Sequence, residues 1–172
     1  MRWLGVVMLV LWLPAAVIAA ETPQWEFGLR GGTDATGVEE SYFAGELYLL
    51  QPLPWRTEVP GGTLETRLDI GVSYLEGADD HSGWLALGGD LVWSIFDGLV
   101  DLEAGFRPAW LFDKRNGNDD FGGEVQFSSH AGVALHLAPM TFSYRIQHLS
   151  NAGLFDENDG LDLHLFGIGA RF

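Results

Sequence analysis

The sequence predicts an all-β fold: an eight-stranded antiparallel transmembrane β-barrel of the bacterial outer membrane. Three observations carry that expectation. From Gln24 to Phe172 apolar and polar residues alternate in eight runs, with turn-forming clusters between them and no convincing amphipathic helix. The polar side of these runs mixes acids, bases and many glycines, as the interior of a narrow barrel requires. Aromatic residues gather toward the run ends, where an interfacial girdle would hold them; Trp25, Tyr74, Trp93, Trp110, Phe142 and Tyr144 are examples. Alternation alone would also suit a secreted β-sandwich, so the charged, glycine-rich faces decide between the two.

The first run, 25–32, sets Trp25, Phe27 and Leu29 against Glu26, Gly28 and Arg30. The second, 42–50, sets Phe43, Leu47 and Leu49 against Glu46 and Tyr48. In the third, 64–74, six outward candidates from Leu64 to Tyr74 alternate with Glu65, Arg67, Asp69, Gly71 and Ser73. The fourth, 83–95, opposes Leu85, Leu87, Leu91, Trp93 and Ile95 to Trp84, Ala86, Gly88, Asp90 and Ser94. The fifth, 100–110, opposes Val100, Leu102, Ala104, Phe106 and Trp110 to Asp101, Glu103, Gly105 and Arg107. The sixth, 124–137, carries Val125, Phe127, Ala131, Val133, Leu135 and Leu137 on one side, with His130 and His136 on the other, where filling the barrel is their expected role. The seventh, 140–150, and the eighth, 162–172, complete an even number of strands, the smallest usual closed membrane barrel. The last run ends on Phe172, which resembles the terminal signature of outer-membrane barrels.

With both termini periplasmic, odd strands run outward and even strands return, so long loops should follow the first, third, fifth and seventh strands. "TDATGVEES", "EGADDHSG" and "DKRNGNDDFGG" fit as acidic or glycine-rich loops. His81 falls in the second of them, where solvated charge is the expected reading and a divalent-cation site the sharper one. "QPLPWRTEVPGG", between the second and third runs, reads as a connection longer than a periplasmic turn.

Residues 1–20 precede this domain and have the layout of a cleaved secretory signal: Arg2, an apolar run, then Ala19 and Ala20 before Glu21. The expected domains are therefore a signal peptide, 1–20, and a barrel, 21–172. The chain of 172 residues has no cysteine, so an exported domain must be held by packing or sheet closure. A formal charge of −15 argues against nucleic acid as a partner, because phosphate binding needs an excess of Lys and Arg. No metal or cofactor motif is present.

The seventh run poses the functional question. His148 and Ser150 share a face with Met140, Phe142, Tyr144 and Ile146, so two polar side chains extend an apolar row. Residues two apart on a strand lie about 6.6 Å apart at Cα, close enough for a histidine ring to lean toward a serine hydroxyl. On the eighth run Asp162 shares the face of Phe166 and Ile168 and should sit at the height of His148. Nucleophile, base and orienting acid are then assembled whatever their chain order. The competing reading is that His148 and Ser150 mark the end of the hydrophobic belt. His164, two residues below Asp162, reads as interfacial or as a support for the acid.

"QHLSNAG" followed by "NDGLD" resembles the His-x-Ser-Asn signature and the acid beyond it of the lipid A 3-O-deacylases known as PagL, most specifically over Tyr144 to Asp162. The resemblance implies His148 as general base, Ser150 as nucleophile, and Asn151 with the Gly153 N–H as the oxyanion hole. The family's acid is usually glutamate; here that place holds Asp162, with Glu157 in the preceding loop as the alternative. The family's proline in that turn is replaced by Asp159. The implied activity is an outer-membrane serine esterase that removes the 3-O-linked 3-hydroxyacyl chain of lipid A, with lipopolysaccharide as substrate, no cofactor, and a homodimer left open. The alternatives are a non-enzymatic small barrel or another lipid-modifying barrel such as an acyltransferase. Lipopolysaccharide is anionic, and bases that could meet it are few: Lys114, Arg115 and Arg145, with divalent ions as bridges to the loop acids.

Overall fold

The computed structural model describes residues 24–35, 42–77, 80–117 and 119–172; the segment read as a signal lies outside them. Eight long strands form: β1 (Glu26–Asp34), β2 (Phe43–Val59), β3 (Gly62–Gly77), β4 (Asp80–Ile95), β5 (Val100–Leu111), β6 (Val125–Leu137), β7 (Met140–Ser150) and β8 (Leu161–Arg171). Each pairs antiparallel with its chain neighbours, and β1 pairs with β8 from Glu26↔Arg171 to Asp34↔Leu163, which closes the sheet into a barrel. Closure satisfies every ladder that an open sheet would leave at its edges, the condition for spanning a bilayer with strands.

Two expected connections turn out to be strand. "QPLPWRTEVPGG" belongs to the β2–β3 hairpin, which runs to Val59↔Gly62 and turns through Pro60 and Gly61, the latter at φ 86°. A bulge between Pro52 and Arg56 absorbs the extra residues. β1 pairs β2 only as far as Leu50, so Pro52 and Pro54 lie where one side of β2 has no ladder to feed, the setting in which a strand tolerates proline. Most of "EGADDHSG" is likewise strand: β3 and β4 pair up to Gly77↔Asp80, and His81 stacks on Tyr74 instead of sitting in a loop. Period-2 reading missed both because bulges and polar strand ends break the alternation.

The parity of every run holds. Phe27, Leu47, Leu87, Phe106 and Ile168 point outward to lipid, while Glu46, Asp69, Glu103, Arg107 and Arg145 are buried in the lumen. There the charges pair closely. Arg107 meets Glu46 and Asp69, each at 3.0 Å; Arg145 meets Asp69 at 3.1 Å and Glu103 at 3.0 Å; Arg30 meets Glu46 at 2.7 Å. Lower down, Asp101 gathers Arg67, Arg171 and His136. His130 packs beside Asp90 at 3.3 Å, so both lumen histidines fill the barrel as expected. A Cβ at Gly71 would come within 2.6 Å of Glu46, which is why so crowded a network needs glycine between its members.

Toward the outer rim the lumen changes character. Tyr42, Leu75, Trp84, Leu111, Phe121, Leu149, Leu161, Leu163 and Leu165 form an apolar plug above the ion pairs. Leu149 and Leu161 are direct partners across β7 and β8, so the plug sits immediately beneath the strand ends that matter for function.

Candidate active site

The outward face of β7 and β8 at the outer rim holds the polar cluster. Asp162 is the cross-strand partner of His148, and the pairing register alone brings their side chains to one height on one face. His148 Nδ1 and Asp162 Oδ1 are 2.7 Å apart, a charge-assisted hydrogen-bond distance. Both side chains stay partly open, 49% and 43% exposed. Ser150 closes β7 on the same face, two residues beyond His148, and pairs on its other side with Phe127 of β6. Among the described residues neither the Ser150 hydroxyl nor His148 Nε2 has a hydrogen-bond partner, so both remain available to a substrate.

After Ser150 the chain leaves the sheet sharply, and Asn151 makes that turn. Its parity sends the side chain inward, fully buried, and its amide donates to the carbonyls of Phe121 (3.1 Å) and Glu157 (2.6 Å). Its Oδ1 accepts the Gly153 N–H at 2.8 Å, an Asx turn that carries Ala152 (φ 54°) and Gly153 (φ 78°) through the left-handed region. Both hydrogens of the Asn151 amide are therefore committed to the loop, and the side chain is not brought to the lipid side where Ser150 stands. The Gly153 N–H is also in use. Glu157 is exposed in the loop, and its described contact is this backbone carbonyl, not His148; the acid that meets the histidine is Asp162.

Two residues that sequence reasoning passed over belong to this cluster. Gly160 packs on it so closely that a Cβ would stand 3.2 Å from His148 Cε1 and 3.7 Å from Ser150 Cβ. Asn158 accepts the Asn151 backbone N–H at 2.9 Å. The family-like spacing contained both positions, but only packing reveals what they touch. Asp159, in place of a proline, accepts the Asp120 N–H at 2.9 Å and so ties the β7–β8 loop to the β5–β6 loop.

His164 lies below Asp162 on the same face and hydrogen-bonds Tyr144 Oη at 2.6 Å, with the rings stacked. It is anchored to Tyr144, not to Asp162. The rim loops above are acidic. Asp120 is held below the usual carboxylate range by the Gly122 N–H and then by Arg115, and Asp80 by the N–H groups of Gly117 and His81. Arg115 is spent on Asp120 at 2.9 Å, and Arg145 lies in the lumen, so neither offers the free surface cation that an anionic lipid would seek.

A closed barrel with this cluster on its lipid face is matched by the family model "Lipid A 3-O-deacylase (PagL)" over residues 43–171. The chain belongs to that family. The crystal structure of the outer membrane enzyme PagL superposes with a TM-score of 0.75 at 23% identity, covering 84% of this chain and 98% of that one. Neisserial surface protein A shares the barrel at a TM-score of 0.51 and 10% identity, over 87% of this chain and 97% of that one. No curated protein matches the sequence. Membership of the PagL family makes this chain an outer-membrane esterase acting on lipid A, and the eight-stranded lipid-facing barrel is the scaffold it uses.

Proposed function

We propose that this deacylase works through a Ser150–His148–Asp162 triad on its lipid-facing surface. The observation that carries the reading is the 2.7 Å His148–Asp162 contact at the outer rim, with Ser150 on the same face. Asp162 accepts the Nδ1–H of His148, which leaves Nε2 free to take the proton of the Ser150 hydroxyl as its oxygen attacks the 3-O-ester carbonyl. Asp162 also stabilises the imidazolium that results. When the tetrahedral adduct collapses, His148 returns that proton to the departing sugar oxygen, and the hydroxyacyl group stays on Ser150. Water, deprotonated by the same histidine, then releases the fatty acid and restores the serine.

The oxyanion needs donors fixed before it forms. The backbone turn of Asn151, Ala152 and Gly153 follows directly on Ser150, and the buried amide of Asn151 holds that turn in shape. Asn151 is thus a positioning residue, and the donor left for the oxyanion is the Ala152 N–H of the same turn, since the N–H groups of Asn151 and Gly153 are already bonded to Asn158 and to Asn151 Oδ1. All three triad members come from one chain, so a monomer suffices for the chemistry and a homodimer is not required by it.

The location of the site follows from the substrate. A histidine–carboxylate pair facing hydrocarbon costs several kcal/mol, and at the rim it shares the depth of a lipid's own ester and sugar region. The substrate reaches it by diffusing in the leaflet. Ser150→Ala in cells that produce the protein should leave lipid A with its 3-O-chain, a fall in rate of about 10³-fold or more, while the barrel still folds and inserts. Mass spectrometry of extracted lipid A reads the result; a Ser150→Ala protein that still removes the chain would overturn the triad.

A further inference from the structure

One row of the outward face has a gap in it. Phe166 on β8, Gly31 on β1, Gly45 on β2 and Tyr74 on β3 are successive cross-strand partners. All four face lipid, because their chain neighbours Arg30, Glu46, Ser73 and Leu165 are buried. Two adjacent strands therefore present bare backbone between two aromatic walls. With Leu29, Phe43, Leu47 and Val72 around it, the gap becomes an apolar hollow of about 800 Å³ open to the membrane.

Packing does not demand these glycines. A Cβ at Gly31 would come no nearer than 3.7 Å to any neighbour and one at Gly45 no nearer than 3.9 Å, and neither residue is in the left-handed region. Inward glycines such as Gly71 and Gly105 are different, since a Cβ there would collide with lumen side chains. Glycine weakens a strand, so two of them side by side on an exposed face, with room for more, keep a space open.

The hollow is continuous with the site. Phe166 touches Tyr144 at a ring separation of 5.0 Å, and Tyr144 stacks on and hydrogen-bonds His164, two residues from Asp162. Along β8, Phe166 is four residues from Asp162, about 13 Å away along the tilted strand at the usual rise. Sideways, Gly31 and Gly45 lie two and three strands from Ser150, about 10 to 14 Å at normal strand spacing. The hollow is thus displaced from Ser150 across β8, out of line with an ester held there. The chain suited to that displacement is one borne elsewhere on the same sugar backbone.

We propose that the Gly31–Gly45 hollow seats an acyl chain of the lipid substrate other than the one that is cleaved, and thereby holds the sugar in register over Ser150. The assignment rests on the deacylase reading above. The occupant is a lipid chain because the hollow opens on the membrane face, its rim is apolar, and its wall runs unbroken to the site.

The test is the full barrel in mixed micelles, with Gly31→Leu combined with Gly45→Leu to fill the hollow, and Ala104→Leu on the outward face of β5 as the control. Steady-state kinetics on a multiply acylated lipid A should show KM raised about tenfold with kcat retained, the signature of lost uniform binding, and wild-type values for the control. Equal KM values for the filled variant and wild type would overturn the assignment. So would an equal rise in KM on a single-chain ester, because the change would then have reached the site itself. A wild-type barrel that cleaves neither substrate would bring down the deacylase reading and this one together; cleavage of both, with the filled variant indistinguishable, would bring down this one alone.

Discussion

The lumen and the outward patch on β7 and β8 both hold charge inside a membrane, and they hold it in opposite ways. In the lumen Arg107 and Arg145 are fully buried and each meets two carboxylates, so charge is neutralised by charge and every guanidinium is locked. On the patch His148 and Asp162 meet only each other, half exposed, and one ring nitrogen of the histidine is left over. Removing a member of the first set leaves a buried charge without its partner; removing a member of the second leaves a surface without its reactivity. The first set is expected to govern folding and the second to govern turnover.

The strongest way to break that contrast is Asp162→Asn. Without an anionic acceptor, His148 loses both its tautomer and the stabilisation of its charged form, and kcat should fall about 10³- to 10⁴-fold. Urea unfolding of the barrel in lipid vesicles, followed by tryptophan fluorescence, should shift little; a loss of stability comparable with that of a lumen variant would erase the distinction. Next in size is Arg145→Ala, which leaves Glu103 buried without its ion pair and Asp69 with only Arg107 and Arg30, and should cost about 3–5 kcal/mol of stability. Protein that still folds should keep its kcat, because Arg145 faces away from the lipid. The smallest expected effect sharpens the boundary between the two sets. Gly160→Val pushes a side chain against His148 Cε1 and Ser150, and should lower kcat roughly tenfold with the unfolding midpoint unchanged, Gly160→Ala falling between it and wild type. A Gly160→Val barrel with full activity would show that the loop yields and does not position the histidine.

The rim loops teach a related lesson about acidic charge. Asp159 ties the β7–β8 loop to the β5–β6 loop by accepting the Asp120 N–H, and Asp120 holds its own loop by accepting the Gly122 N–H, so part of the chain's negative charge has structural work at the rim. With Arg115 bonded to Asp120, the exposed Lys114 is left, among Lys114, Arg115 and Arg145, as the cation with no ion pair among the described residues, and binding of an anionic lipid has to come chiefly from the apolar face below.

Alternation by itself settled much of this protein. Strand number, the inward or outward direction of each run, and the placement of His148, Ser150 and Asp162 on the lipid side all follow from a side-chain period of two, which a closed sheet with one face in hydrocarbon enforces strictly. The bulge at Pro52 to Arg56 escaped that reading, because extra residues break the period, and so did the polar strand ends of β3 and β4, because above the bilayer either face can be wet. What only the tertiary structure decided depends on register and closure. That Asp162 rather than Glu157 meets His148, that Asn151 turns inward to hold the loop, that Gly160 presses on the histidine, and that Gly31 and Gly45 fall side by side between two aromatic walls are matters of which residue lies opposite which. One strand's sequence carries no record of its neighbour's offset; the closed barrel sets it for all eight at once.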